Sequence, residues 1–335
     1  MISNNIIIGQ TLREIFERCR VDRRAAKCSN KQVIRISHPD DKLNFQPPYD
    51  VAASTSALLS INNRLEIAVL ALPDEAWARV GAARSKGVER DIGEDPYIGD
   101  IAAISLYRSF KGSWEKGGRL YGGWWINLPK TERSLITIDG EATTELDYSR
   151  LHPTLLFARQ GLRLDFDPYV VAGYNKAAFR NMGKRTFGRL VNPWKSSKRL
   201  RRGFQFQAPK PPQQGANSLR LRASPEDKSA LPSGMSFPQY LSLLTAHLAS
   251  IAIWFGSDAG MTLQREDSDL AIRILGRLDQ LGIVALPVHD SFIVKQSETS
   301  NLRKVMIECF KDRYFFEPLI KPPACHIEAL SLSHN

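Results

Sequence analysis

Apolar residues recur along this chain with two different periods, and the change of period separates expected helices from expected strands. Leu12, Ile15, Phe16 and Cys19 fall at helical spacing and predict an amphipathic helix over 11–27. Residues 37–49 are polar and proline-rich, the composition of a loop. Pro73 is placed to open a helix over 74–84, because proline is tolerated in a first helical turn. The first 110 residues thus read as helix-rich, with mixed charge and no evident chemistry.

From Gly117 the texture changes. GGRLYGGWW is glycine-rich and aromatic, and ATTELDY (142–148) reads as a strand that ends on an acid. Residues 151–160 predict a helix packed behind it. Residues 170–191 keep helical spacing until Asn192-Pro193, which ends the run. An apolar helix is predicted over 238–255 and a second helix over 262–281, closed by Gly282. Two short apolar strands, 284–288 and 292–295, flank His289-Asp290. An amphipathic helix over 298–315 and a last strand over 325–330 complete the chain. This order predicts an α+β fold, with helices on one face of a mainly antiparallel sheet.

Composition narrows the class. The 335 residues are long enough for a sizeable core, and 43% apolar content excludes a mostly disordered chain. Cys19, Cys28, Cys309 and Cys325 lie far apart, which argues against a disulfide framework or a zinc ribbon. No apolar run is long enough to span a bilayer, and no basic segment followed by an apolar one opens the chain. The expectation is a cytoplasmic protein with no membrane partner.

Charge sharpens this. The net charge is +11, yet residues 168–225 hold 13 Lys/Arg and no acid, which leaves 33 basic against 35 acidic residues elsewhere. Tyr174, Phe179, Phe187, Trp194, Phe204 and Phe206 are interleaved with those cations. Cations neutralise phosphates and aromatic faces stack on bases, so this block is the candidate nucleic-acid contact. Lys195, Lys198, Arg199, Arg201 and Arg202 lie in a Pro-, Gln- and Ser-rich stretch that reads as a loop; a solvated basic loop is the alternative.

The candidate chemistry is acidic. Asp147 and Asp290 both end apolar strands, and folding would have to bring them together. Two such carboxylates can hold two Mg²⁺ ions about 3.5–4 Å apart, an arrangement suited to phosphoryl transfer, and Mn²⁺ would serve as well. Arg180 and Lys184, four residues apart on one helix face, offer a fork and a point charge for a triphosphate.

Several segments, in order, resemble the palm and fingers motifs of family A DNA polymerases and the related phage-type single-subunit RNA polymerases. GGRLYGGWWINLP (117–129) resembles their Thr-Gly-Arg segment, LDYSRLHP (146–153) motif A, FRNMGKRTFGRLVN (179–192) motif B and PVHDSFIV (287–294) motif C. LQREDSDLAIRIL (263–275) resembles the helix that precedes motif C. The resemblance covers about residues 115–330. It implies a right-hand architecture: a reduced, helical, thumb-like region over 1–114, an antiparallel palm over 115–165 and 237–335, and helical fingers with a basic insertion over 166–236.

The resemblance also implies roles. Asp147, Asp290 and the Tyr148 carbonyl would bind metal, and Arg180 and Lys184 the triphosphate, with Lys184 able to protonate pyrophosphate. Arg119, Tyr121, Gln264 and Arg265 would meet the primer–template, DNA or RNA, with His289 near the primer end. His152 and Asn192 stand at positions that bear on dNTP against NTP choice. The bulk of His152 favours exclusion of ribose, whereas the His-Asp-Ser-Phe form and Asn192 point toward the RNA polymerases. The small size suits a replication protein of a phage or other mobile element, working with partner proteins. Two other classes stay open: a non-catalytic nucleic-acid-binding protein with a polymerase-like palm, and a metal-dependent nuclease.

Overall fold

The computed structural model describes residues 32–37, 46–87, 103–171, 174, 176–192 and 221–322. The helix expected over 11–27, the strand expected over 325–330 and the cations Lys195 to Arg202 lie outside the described residues. In chain order the elements begin with β1 (Ile34–Ser37), α1 (Tyr49–Ile67), β2 (Leu70–Ala71), α2 (Asp74–Gly87), β3 (Tyr107–Lys111) and β4 (Gly117–Tyr121). A 3₁₀ turn, Trp124–Asn127, precedes α3 (Lys130–Arg133), β5 (Thr137–Ile138), β6 (Glu141–Asp147) and α4 (Leu151–Arg159). Then follow α5 (Ala177–Val191), α6 (Pro225–Ala230), α7 (Phe237–His247), a 3₁₀ segment Ala249–Trp254 and α8 (Ala259–Gln280). The strands β7 (Leu286–Val288) and β8 (Ser291–Lys295) and the helix α9 (Thr299–Tyr314) end the series. The fold is α+β. Among the described residues, no helix is long and apolar enough to cross a membrane.

The described residues part into two compact units, one drawn from 1–114, 118–149 and 268–335 and the other from 115–117 and 150–267. The first unit holds both sheets. One is ordered β1-β3-β4, with β1 and β3 parallel; the other is ordered β2-β5-β6-β8-β7, with every neighbour antiparallel. Leu146 pairs directly with Phe292 across β6 and β8, and both are buried. Behind them α9 buries Leu302, Val305, Met306, Cys309 and Phe310 at helical spacing. The Cys309 thiol is pushed up to about 11, first by burial, so it stays protonated and unreactive.

The sequence pattern does not announce α1, because two of its six buried positions are polar. Ser54 and Asn62 sit among Val51, Leu58, Ile61 and Leu65. Asn62 is there to bond: its amide donates to the Leu106 carbonyl at 3.0 Å and its carbonyl accepts from the Leu106 N–H at 2.7 Å. The buried Arg108 on β3 donates to the Gly118 carbonyl at 2.9 Å, to Ser268 at 2.7 Å and to Asp269 at 2.8 Å. Gly122 follows β4 at φ 105°, a conformation that L side chains avoid, and a Cβ there would strike the Ser105 carbonyl. It leads into Trp125, which is fully buried and donates its indole N–H to the Pro287 carbonyl on β7 at 3.0 Å.

The second unit is helical. The helix expected over 170–191 begins only at Ala177, because Val171 and Tyr174 form an antiparallel bridge before it. Nor is 238–255 one helix: after His247 the apolar residues Leu248, Ile251 and Trp254 recur every third position, the period of the 3₁₀ segment they form. Asp227 on α6 ties this unit together. It is buried, closes a capping box with Ser224, and accepts from Arg185 and Arg189 of α5, each at 2.8 Å. Burial alone would raise its pKa; the Ser224 amide and the two guanidinium groups outweigh that and hold it low.

Two glycines of α5 differ in what they face. A Cβ on Gly183 would meet the Tyr169 carbonyl at 2.3 Å, measured from the ideal Cβ position, whereas one on Gly188 would meet nothing within 4 Å. Helix propensity alone makes each Gly→Ala change favourable by about 1 kcal/mol. Gly188→Ala is therefore expected to raise the melting temperature and Gly183→Ala to lower it, because main chain must move to admit the methyl group. Equal shifts of both variants in thermal denaturation would contradict this packing.

Candidate functional site

Asp147 is the last residue of β6, and Asp290 is the second residue of the two-residue turn between β7 and β8. The register sets Asp147 opposite Ser291, and the Tyr148 N–H donates to the Asp290 carbonyl at 3.4 Å. The two acids, 143 positions apart in sequence, thus share one end of one sheet. His289 opens the turn at φ 59°, in the left-handed region. Positive φ at the first central position is the mark of a tight hairpin turn that usually takes glycine there.

Side chains alternate across β6. Leu146 and Tyr148 are buried toward α9, where the Tyr148 hydroxyl donates to the Met306 carbonyl at 2.6 Å. Glu145 and Asp147 therefore take the opposite face. Only the main chain of Tyr148 is at the strand end. Residues 319–321 run alongside it: the Lys321 N–H donates to the Asp147 carbonyl at 2.9 Å and the Ser149 N–H to the Leu319 carbonyl at 2.7 Å. Because residues 147 and 149 bond to that side, antiparallel alternation turns the amide groups of Tyr148 toward β8 and the Asp290 turn.

The neighbouring carboxylates differ in electrostatics. Glu145 is held below its ordinary value: burial works against its charge, but hydrogen bonds from Arg133 and Ser291 outweigh it. Arg133 grips it with two nitrogens, at 2.9 and 3.2 Å, and the Ser291 hydroxyl donates to it at 2.7 Å. Asp147 is raised above its ordinary value, first by burial and then by repulsion from Asp290; its ion pair with Lys321 offsets these only in part. Among the described residues no group of three or more His, Cys, Asp or Glu side chains is placed to hold a metal. Two carboxylates and a main-chain carbonyl remain, an all-oxygen donor set. That set fits magnesium, which keeps several waters and needs only one or two carboxylates.

The structure places the other residues singled out in the sequence as follows. Arg119 and Tyr121 are half-buried on one face of β4, with the Tyr121 ring 6.0 Å from that of Tyr107. Trp124 and Trp125 are core. Gln264 and Arg265 are half-buried within α8, past its first turn. In the second unit Arg180 donates to Asp167 at 2.7 Å and lies over the Tyr169 ring. Lys184 is exposed and has no ion pair among the described residues. The His152 imidazole is bonded to the buried Asp267 at 2.8 Å. Asn192 caps α5 through the Gly188 carbonyl at 3.0 Å, and a Cβ on Gly260 would collide with its amide. The expectation that the basic block acts as one backbone contact is narrowed here. Arg185 and Arg189 are held by Asp227, because a buried carboxylate demands a partner.

Two features of the site escape a reading of the sequence. Lys321 stands in a short proline-rich stretch, EPLIKPP (317–323), with no periodicity, and only a long-range bridge carries it to Asp147. Arg133 and Glu145 are 12 residues apart, a spacing that no local rule pairs.

No protein-family model matches the chain, and no curated protein matches it. Among solved structures, one that matches is the polymerase domain of Pol1 from M. smegmatis in complex with DNA primer-template and dNTP. The match has 13% identity and a TM-score of 0.39, over 74% of this chain and 51% of that one. This chain thus spans about half the length of that domain.

The Asp147 shift has a consequence for stability. A carboxyl group raised in the fold favours its protonated form there. Its contribution is present below the ordinary carboxylate range and is lost as pH rises through the raised value. At neutral pH the ionised group is a net cost. Asp147→Asn should therefore melt at a higher temperature than the parent near pH 7, with the gain shrinking toward about pH 4. Melting curves at the two pH values measure this; an equal or lower melting temperature near pH 7 would contradict it.

Proposed function

We propose that this protein is a nucleotidyltransferase that adds nucleotides to the 3′-hydroxyl of a nucleic-acid primer. The observation that carries the reading is the pairing of β6 with β8. It gathers Asp147 and Asp290 at one sheet end and makes ionisation of Asp147 costly, a cost that a divalent cation would relieve. Asp147, Asp290 and the Tyr148 carbonyl would hold magnesium, which when bound favours the ionised 3′-hydroxyl and neutralises charge on the departing phosphates.

The chemistry is an in-line displacement. The 3′-oxygen forms a bond to the α-phosphorus, the bond to the bridging oxygen breaks, and pyrophosphate leaves. Lys184 presents a compact ammonium suited to phosphate oxygens, and Arg180 a guanidinium already oriented by Asp167. Lys184 would also supply the proton that pyrophosphate takes up. His152, held by Asp267, is a fixed rather than swinging ring, which suits a group that selects the sugar. Gln264 is assigned to the minor groove of the primer–template, and Arg119, Arg265 and the cations Lys195 to Arg202 to its backbone. Their contribution should weaken with salt as counterion release is lost.

The test is extension of a labelled primer on a template with Mg²⁺ and either dNTPs or NTPs. Metal-bound charge stabilisation supplies several kcal/mol, so Asp147→Ala and Asp290→Ala should each lose about a thousandfold or more in rate. Lys184→Ala should lose about a hundredfold. Binding without extension under every nucleotide would overturn the reading in favour of a binding protein. Shortening of the primer would mark a nuclease.

A further inference from the structure

We propose that Lys321 is a built-in cation of the carboxylate pair, so that the site takes one divalent ion where a two-metal centre takes two. The inference rests on the reading of Asp147 and Asp290 as metal ligands.

Its first support is placement. The Lys321 ammonium pairs with the Oδ2 atom of Asp147. A lysine at a surface carboxylate is common, but this one extends from a main chain that is held in place. Its own N–H donates to the Asp147 carbonyl at 2.9 Å, and two residues earlier the Leu319 carbonyl accepts from Ser149 at 2.7 Å. Between them Ile320 bridges Tyr148 and is buried. The main chain of Lys321 is thus fixed beside the residue that its side chain neutralises.

The second support is the count of charge and donors. An aspartate bridges two ions most readily with one oxygen on each, and an ammonium on either oxygen repels an ion there. With Lys321 on Oδ2, Asp147 has one oxygen left, and Asp290 and the Tyr148 carbonyl complete a donor set for a single magnesium with its waters. Glu145, the acid two positions earlier on the same face of β6, is committed to Arg133 and Ser291. Two divalent ions would meet only two carboxylate charges, and that of Asp147 is already shared with Lys321. An ammonium has three N–H donors, so Lys321 can bond Asp147 and still offer hydrogens to a substrate phosphate.

The experiment is titration of the full chain with Mn²⁺, with free ion followed by electron paramagnetic resonance. The expected result is one bound ion that Asp147→Asn and Asp290→Asn each remove. Lys321→Met should gain a second ion that Asp147→Asn also removes, while Lys321→Arg, which keeps the charge, should stay at one. Two ions in the parent, or one in Lys321→Met, would overturn the role of Lys321 and leave the metal reading standing. If neither Asp→Asn change removes an ion, the metal reading fails and this inference with it.

Discussion

Everything at the site depends on the antiparallel register of β6 against β8. Side chains alternate along a strand, so a slip of one residue would send Asp147 to the α9 face and Leu146 to solvent. The register is held by what lies behind it: Leu146 against Phe292, the Tyr148 hydroxyl on the Met306 carbonyl, and Phe310 within 5.7 Å of the Tyr148 ring. The apolar face pays for the polar one. Each such buried side chain contributes about 1.5–3 kcal/mol toward a fold that holds two acids at one strand end.

How each acid is balanced distinguishes scaffold from site. Asp227 and Glu145 are each met by arginine and by further hydrogen bonds, and Asp269 by the buried Arg108; such carboxylates hold structure in place. Asp147 is met by one half-exposed lysine and repelled by Asp290. An ion pair as exposed as that is worth about 1 kcal/mol or less. It is the main-chain bonding of 319–321, not the charge, that keeps Lys321 where it is.

The parts of the fold that depend on local pattern were legible in the sequence. The strand ending on Asp147, the turn at His289-Asp290 and the helices α4, α8 and α9 all follow from period, capping and breaker residues. What was not legible depends on pairing at a distance. β1 and β3 form a parallel pair separated by a helix-rich stretch, and α1 hides its apolar face behind Ser54 and Asn62, polar because they bond inward. At the site, the two aspartates could be named but their union could not be derived, since nothing local joins positions 147 and 290. Lys321 and Asp167, the partners of Asp147 and Arg180, carry no motif at all.

The basic character of the chain also changes meaning once partners are known. Within α5 the cations are Arg180, Lys184, Arg185 and Arg189, identical in sign and alike in the sequence. Three of them face acids: Arg180 faces Asp167, and Arg185 and Arg189 share Asp227. Arg185 and Arg189 bind their own chain, and Asp227 would cost about 3–5 kcal/mol if left without them. Lys184, by contrast, is exposed and without an ion pair among the described residues. Net charge therefore overstates the affinity that this helix can offer to phosphate.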